Sequence, residues 1–292
     1  GRGKIHLYPG SGVEHIQLNR ADPWTEVDGE RSSLKAPHPF LVDPLVRQAY
    51  NLLLDRGAIA AQLYGAAGQA TRNFLNSPQR FQSPHTHWEF ALDKAAQRLD
   101  QAGWRRGSDG VRVKDGRRMT LLYQTSVNPV RQKTQAIVKK AFEQTGIEVE
   151  LKAVNPGVFF SSDPGNADAQ AKFHADLQMF TVSPGSPDPQ AHMTQFVSWE
   201  VARKANNWAG QNVVRWVNEE YDRLWNQAAI ELEPDKRAAL FIRMNDLLVE
   251  DVAVIPLVWR HEVVAMSHAL QGVELTTWDS NLWDLAYWYR QG

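Results

Sequence analysis

Apolar and polar positions along the chain follow two periods, and the switches between them mark out the elements. Lys4–Tyr8 and Glu14–Leu18 alternate as strands do, and Pro9-Gly10-Ser11-Gly12 between them predicts a hairpin turn. Residues 20–42 are polar and Pro-rich, a loop. Asp43-Pro44 then supplies an N-cap and an N1 proline, with Val46, Tyr50, Leu53 and Leu54 at helical spacing and a second helix from about Arg56 to Gly65. Residues 66–88 show no period and carry Pro78, Pro84, His85 and His87, a long loop of the kind that packs across a surface or serves a function.

The middle of the chain predicts a strand–helix–strand unit. Leu92, Ala95, Ala96 and Leu99 mark a short amphipathic helix closed by Gly103. Val111–Lys114 and Arg117–Tyr123 flank Asp115-Gly116, a two-residue hairpin signal. Asn128-Pro129 caps a helix running to Gly146, and Ile147, Val149, Leu151 and Ala153 alternate with polar residues immediately after it. Two strands joined in this way lie parallel. Asn155-Pro156 starts a further helix that leads into an apolar strand, Ala175–Val182. That strand empties into Ser183-Pro184-Gly185-Ser186-Pro187-Asp188-Pro189. Loops at the carboxyl ends of such strands are where α/β folds place ligands.

Later, Tyr221, Leu224, Trp225, Ala228 and Leu232 form one helical stripe, and Phe241, Met244, Leu247 and Leu248 the next, after Pro234. Val252–Trp259 reads as a buried strand broken by Pro256, Val263–Met266 as a shorter one, and the tail from Trp278 to Tyr289 is rich in Trp and Tyr. No internal repeat is present. The fold class is therefore α/β, a mixed sheet flanked by helices.

Composition narrows the function classes. Lys and Arg (32) nearly cancel Asp and Glu (33), and the basic residues are dispersed, which argues against a nucleic-acid partner. The absence of Cys excludes disulfides, thiolate metal sites and Cys nucleophiles together. No apolar run is long enough to span a bilayer. Phosphate-loop, GxGxxG, GxSxG and HExxH patterns are all missing, so no catalytic residue is assigned and no cofactor or metal is expected. His85-Thr86-His87 lacks a third ligand nearby and reads as loop histidines, and Glu219-Glu220 complements a helix dipole. Eleven Trp either fill a large core or face a ligand. Asn206-Asn207-Trp208-Ala209-Gly210 joins an indole to two amides in a loop, fit either for stacking and hydrogen-bonding a ligand or for plugging a core gap.

In order, these segments resemble a known family. Asp43-Pro44-Leu45-Val46-Arg47-Gln48-Ala49-Tyr50 with Asp55-Arg56-Gly57-Ala58-Ile59 is similar to a helix pair of the family 5 extracytoplasmic solute-binding proteins. These are the dipeptide-, oligopeptide- and nickel-type receptors of ABC importers. Asp93-Lys94-Ala95 through Leu99-Asp100-Gln101-Ala102-Gly103-Trp104, Asp109-Gly110, Asn206–Trp208, Tyr221-Asp222, Pro234–Arg237 and Ile255-Pro256-Leu257 follow the same family in order.

The resemblance implies a periplasmic binding protein type II-like lobe. Residues 20–259 would form the second ligand-binding lobe, 1–19 residual strands of the first lobe, and 260–292 a segment returning to it, so the chain reads as a truncated piece or a natural fragment. It also implies a non-enzymatic protein outside the cytoplasm, membrane-associated through a permease or a lipid anchor. Two lobes of such a receptor close by a hinge over a peptide or related small solute, and permease transmembrane subunits read the closed form. Peptide receptors hold the ligand by strand addition, along the segment matching Phe180, Thr181, Val182 and Ser183. Ser183 stands where those receptors carry an Asp for the ligand ammonium, which forgoes a charge-assisted bond worth about 1.5–3 kcal/mol. Asp188 is a displaced substitute, and a blocked peptide, an opine-like compound or a sugar becomes an alternative ligand. The expected cleft residues are Phe180, Thr181, Val182, Ser183, Asp188, Asn207 and Trp208, with Tyr123 and Phe159, and with Trp199 and Phe160 near them. Rival readings are an α/β hydrolase-like enzyme and an interaction domain that self-associates through the aromatic tail.

Overall fold

Two long strands run through the computed structural model, which describes residues 3–291. Strand β1 is Gly3–Leu18 and its antiparallel partner, the last strand of the main sheet, is Val254–Ser267. The turn expected at Pro9–Gly12 is not a hairpin. Pro9 pairs with His261 and Val13 with Trp259, so four steps along β1 match two on its partner and residues 10–12 bulge out of one continuous strand. The ladder on both sides of the bulge keeps the two halves collinear. Glycine is required at position 10, where a Cβ would lie 2.6 Å from the Arg260 carbonyl oxygen, and a Cβ on Gly12 would crowd the Ser183 side chain at 2.9 Å. Trp259 Nε1 donates to the Gly10 carbonyl at 2.7 Å and pins the bulge.

The strand expected to break at Pro256 likewise runs on through Met266. Pro256 sits opposite His15 at a register shift, where a missing N–H costs no ladder bond. Between these strands and the chain's middle the order is β1, then β2 (Gly68–Ala70), β3 (Thr120–Ser126), β4 (Glu148–Val154), β5 (Leu177–Val182) and β6 (Val254–Ser267). Across the sheet they lie β2-β6-β1-β5-β3-β4. β3 is parallel to β4 and β5, as the strand–helix–strand reading requires, and β1 is antiparallel to β5 and β6. The segment Arg117–Tyr123 divides at Met119: Arg117–Arg118 pairs around Asp115-Gly116 in a separate three-stranded sheet, and the rest belongs to β3.

Helices cover both faces. α1 (Pro44–Leu52), α2 (Leu92–Gln101) and α3 (Pro129–Gln144) pack Tyr50, Leu99 and Phe142 onto Ile16, Leu121, Leu177 and Met179. Asp43 and Asn128 cap α1 and α3 by accepting from backbone N–H groups, as their sequence signals predict. On the opposite face α4 (Glu219–Ile230) and α5 (Pro234–Glu250) bury Tyr221, Phe241, Met244 and Leu248 with Phe74 and Phe196. Burying each such side chain contributes about 1.5–3 kcal/mol. The helix expected after Asn155 is a single turn, Pro156–Phe159. Among the described residues no helix is long and apolar enough to cross a membrane.

Candidate functional site

β5 is the central strand around which the site is built. Its β1 edge is laddered as far as Val182, paired with Val13. Its β3 edge is laddered only from Leu177 to Met179, because β3 gives way to the α3 cap after Ser126. Phe180, Thr181 and Val182 therefore have a strand partner on one side and main chain without a ladder partner on the other.

A groove of about 630 Å³ borders that edge. Phe180, Thr181, Val182 and Ser183 line it together with Trp208, as does the loop continuing through Pro184 and Gly185. Phe160 forms another wall, half exposed, with its ring 6.2 Å from that of Phe180. Trp208 is set by an unusual loop. The turn Lys204–Asn206 is followed by two residues of positive φ, Asn207 (52°) and Trp208 (55°). Gly210 then passes so close to the 200–202 backbone that a Cβ would lie 2.2 Å from the Glu200 carbonyl oxygen. The Lys172 ammonium lies 4.1 Å from the centre of the Trp208 ring, holding it by cation–π attraction.

Other expected site residues are placed elsewhere. Tyr123 is fully buried, on the face of the sheet toward α3, its hydroxyl 3.2 Å from Met179 Sδ. Phe159 is buried behind the groove with Val154 and Phe180. Asp188 is exposed and held by Arg237 through two bonds of 2.7 and 3.0 Å, which ties its loop to α5. Asn207 is exposed and outside the groove lining, and Trp199 packs edge-on against Trp225.

The floor of the groove is a set of residues that sequence reasoning missed. Gln17, Gln178 and Gln124 are directly opposite one another on β1, β5 and β3, so their side chains share one face. Gln124 Nε2 donates to Gln178 Oε1 (3.1 Å), and Gln178 Nε2 donates to Gln17 Oε1 (2.9 Å) and to the Gln170 carbonyl (3.3 Å). Gln17, Gln170, His192 and Gln195 line the groove. The signal was there: each of the three strands carries one glutamine, and register alone decides that all three fall on one face. His192 stacks on Phe74 with ring centroids 5.0 Å apart, and burial, with nearby His15, pushes its pKa down to about 3.

On the opposite face of β5 sits a buried charge cluster. Thr181 Oγ1 donates to Glu14 and accepts from Arg131 Nη2 (2.9 Å) and Arg260 Nη1 (3.2 Å), and Arg131 also pairs with Glu14 at 3.1 Å. Among the described residues no cluster of three His, Asp or Glu is placed to hold a metal ion.

Comparison with known proteins agrees with this architecture. The chain is 23% identical over 239 residues to a dipeptide-binding protein of Pseudomonas aeruginosa, a match covering 81% of this chain and 41% of that one. It is 25% identical over 213 residues to protein XP55 of Streptomyces lividans, covering 72% and 36% respectively. The chain thus spans well under half the length of these curated relatives. Among solved structures, the oligopeptide-binding protein of Thermus thermophilus complexed with a pentapeptide superimposes with a TM-score of 0.78 at 26% identity, over 99% of this chain and 47% of that one. NikZ of Campylobacter jejuni in complex with Ni(L-His) superimposes with a TM-score of 0.79 at 20% identity, over 99% and 54%. The family model for bacterial extracellular solute-binding proteins, family 5 (middle region), matches residues 2–203. More than half of the sequence therefore follows one family's pattern on that family's fold, and the chain belongs to the family 5 bacterial extracellular solute-binding proteins.

Proposed function

We propose that the chain forms a ligand-holding lobe of an ABC-importer receptor, residues 20–259 making the lobe itself, and that it takes peptides or related small solutes. The observation that carries this reading is the unladdered edge of Phe180–Val182 beside the groove, where an extended ligand main chain can add as a strand. Ser183 is exposed at the rim and brings no carboxylate to a ligand ammonium. A blocked or uncharged amino end suits it better than a free one. In this reading the lobe acts outside the cytoplasm, closes with a second lobe over the ligand, hands it to permease subunits, and performs no chemistry on it.

One lobe supplies half of a clamp, so the chain by itself binds weakly. Titrating the ¹⁵N-labelled chain with N-acetylated, C-amidated trialanine is expected to move the amide resonances of Thr181 and Val182 and the Trp208 indole, with a dissociation constant in the millimolar range. Resonances that stay fixed would sink the strand-addition reading. Nanomolar binding of an unmodified dipeptide would sink the role assigned to Ser183.

Tyr287 and Tyr289 are more than half exposed, as are Ile5 and Val263, and Trp283 is close to half exposed. Such apolar surface favours association, and sedimentation equilibrium at rising concentration is expected to show an increasing average mass. A constant monomer mass would remove this expectation.

A further inference from the structure

The groove is lined entirely by uncharged side chains. No Asp, Glu, Lys or Arg is among its lining residues, and burial keeps His192 neutral. The cluster of Glu14, Arg131 and Arg260 is on the other face of β5, since Thr181 turns its hydroxyl to them on the side shared with Leu177 and Met179. The Lys172 ammonium is engaged by the Trp208 ring, 4.1 Å from its centre, and Lys172 is not among the lining residues.

Three polar atoms in this lining lack protein partners. Gln170 Oε1 and the Trp208 Nε1–H are both buried without a hydrogen bond. The third follows from the direction of the amide row. The Gln170 carbonyl can only accept, so the Gln178 nitrogen must face it, and that same nitrogen faces Gln17. Gln17 therefore presents its oxygen to Gln178, and its Nε2–H₂, which unlike the other two atoms is not fully buried, has no protein acceptor among the described residues. Buried polar atoms left open in this way are normally met by a ligand or water.

We propose that the floor of the groove is a subsite for an uncharged group that both accepts and donates hydrogen bonds, a carboxamide or a hydroxyl, accepting from Gln17 Nε2 and Trp208 Nε1 and donating to Gln170 Oε1. This rests on the groove being the ligand site. A carboxylate entering here would meet Gln170 Oε1 and no cation of the lining, the Lys172 charge already being engaged by the Trp208 ring, and an ammonium would meet two N–H donors and no anion of the lining. The subsite thus selects against charge of either sign, by leaving it desolvated and unpaired.

The test uses this chain and four probes: the capped peptides Ac-Ala-Gln-Ala-NH₂, Ac-Ala-Glu-Ala-NH₂ and Ac-Ala-Lys-Ala-NH₂, and maltotriose as a hydroxyl source. Affinity is read from the Trp208 indole N–H resonance. The glutamine peptide, maltotriose or both are expected to bind about tenfold or more tighter than the glutamate and lysine peptides, and the two neutral probes tell the carboxamide from the hydroxyl. The Gln170→Glu variant keeps the oxygen that has no protein partner, adds a negative charge there, and should raise the affinity for the lysine peptide above that for the glutamine peptide. If the glutamate or lysine peptide moves the indole at the same concentrations as the glutamine peptide, or if Gln170→Glu leaves the order unchanged, the subsite is wrong while the groove remains the ligand site. If none of the four probes moves the indole or Phe180–Val182, the groove reading fails and takes the subsite with it.

Discussion

Replacing Arg215 with methionine is expected to lower the thermal unfolding midpoint by roughly 8 °C, the equivalent of about 4 kcal/mol at this chain length. Arg215 is 2% exposed and its guanidinium faces carbonyl oxygens rather than a carboxylate. It donates from Nε to Ser32 (2.9 Å), from Nη2 to Ala171 (3.0 Å) and Lys172 (3.1 Å), and from Nη1 to Val213. Burial brings its pKa down to about 9, which still leaves it charged at neutral pH. Methionine fills similar space but strands those acceptors, at about 1–3 kcal/mol for each that finds no water. Three separate stretches of chain meet at this one side chain. Two of its acceptors belong to the 171–172 segment beside the groove, so the Trp208 indole resonance should broaden or shift in the variant. Calorimetry or circular dichroism reads the midpoint. A value within about a degree of the parent chain would show that the carbonyls are satisfied without the guanidinium.

The second large effect is acid lability between pH 6.5 and about 4. His15 is wholly buried against Phe74 and Phe180, and burial pushes its pKa down to about 4, while that of His192 is pushed down to about 3. Above pH 6.5 folded and unfolded chains both carry neutral imidazoles and nothing is lost. As the pH falls below 6.5 the unfolded chain takes up protons that the folded chain refuses, so stability declines. The decline levels off only near pH 4 and 3, where the folded state protonates as well. Between pH 7 and 4.5 the two histidines together remove about 5 kcal/mol, a large part of a typical domain's stability. Urea unfolding midpoints across this range should fall steeply. A His192→Phe variant, which keeps the stack on Phe74, should recover about half of this 5 kcal/mol loss. A midpoint that is flat from pH 7 to 5 would mean that the two imidazoles are hydrated and free to protonate.

Much of the architecture was legible because local chemistry and burial point the same way. Asp43-Pro44 and Asn128-Pro129 begin helices where their caps say they should, and the alternation from Ile147 to Ala153 matches β4, Glu148–Val154, parallel to the strand before α3. The errors have one origin. Pro9–Gly12 has the composition of a turn, and Pro256 that of a strand breaker. Which structure such residues adopt depends on whether a partner strand continues on both sides, and that partner lies some 250 positions away, as the pairing of Val13 with Trp259 shows. Phe180–Ser183 and Trp208 do line one groove, and they were singled out because a strand end and a Gly-containing loop are local signals. Tyr123 lies outside the groove lining because alternation says which residues share a face and leaves open which face meets the groove, and Phe159, in the single turn Pro156–Phe159, is packed behind it.

By itself, then, the order of residues determined the α/β class, the helix starts, the parallel unit, the absence of thiol chemistry and the family likeness, since all of these depend on composition and on contacts between near neighbours. The tertiary structure alone decided that β5 keeps one edge unladdered past Met179, that three separated glutamines join into one row, and that charge is kept to the far face of the sheet. Those features arise from register between strands distant in sequence. A shift of one residue would turn every one of these side chains to the opposite face.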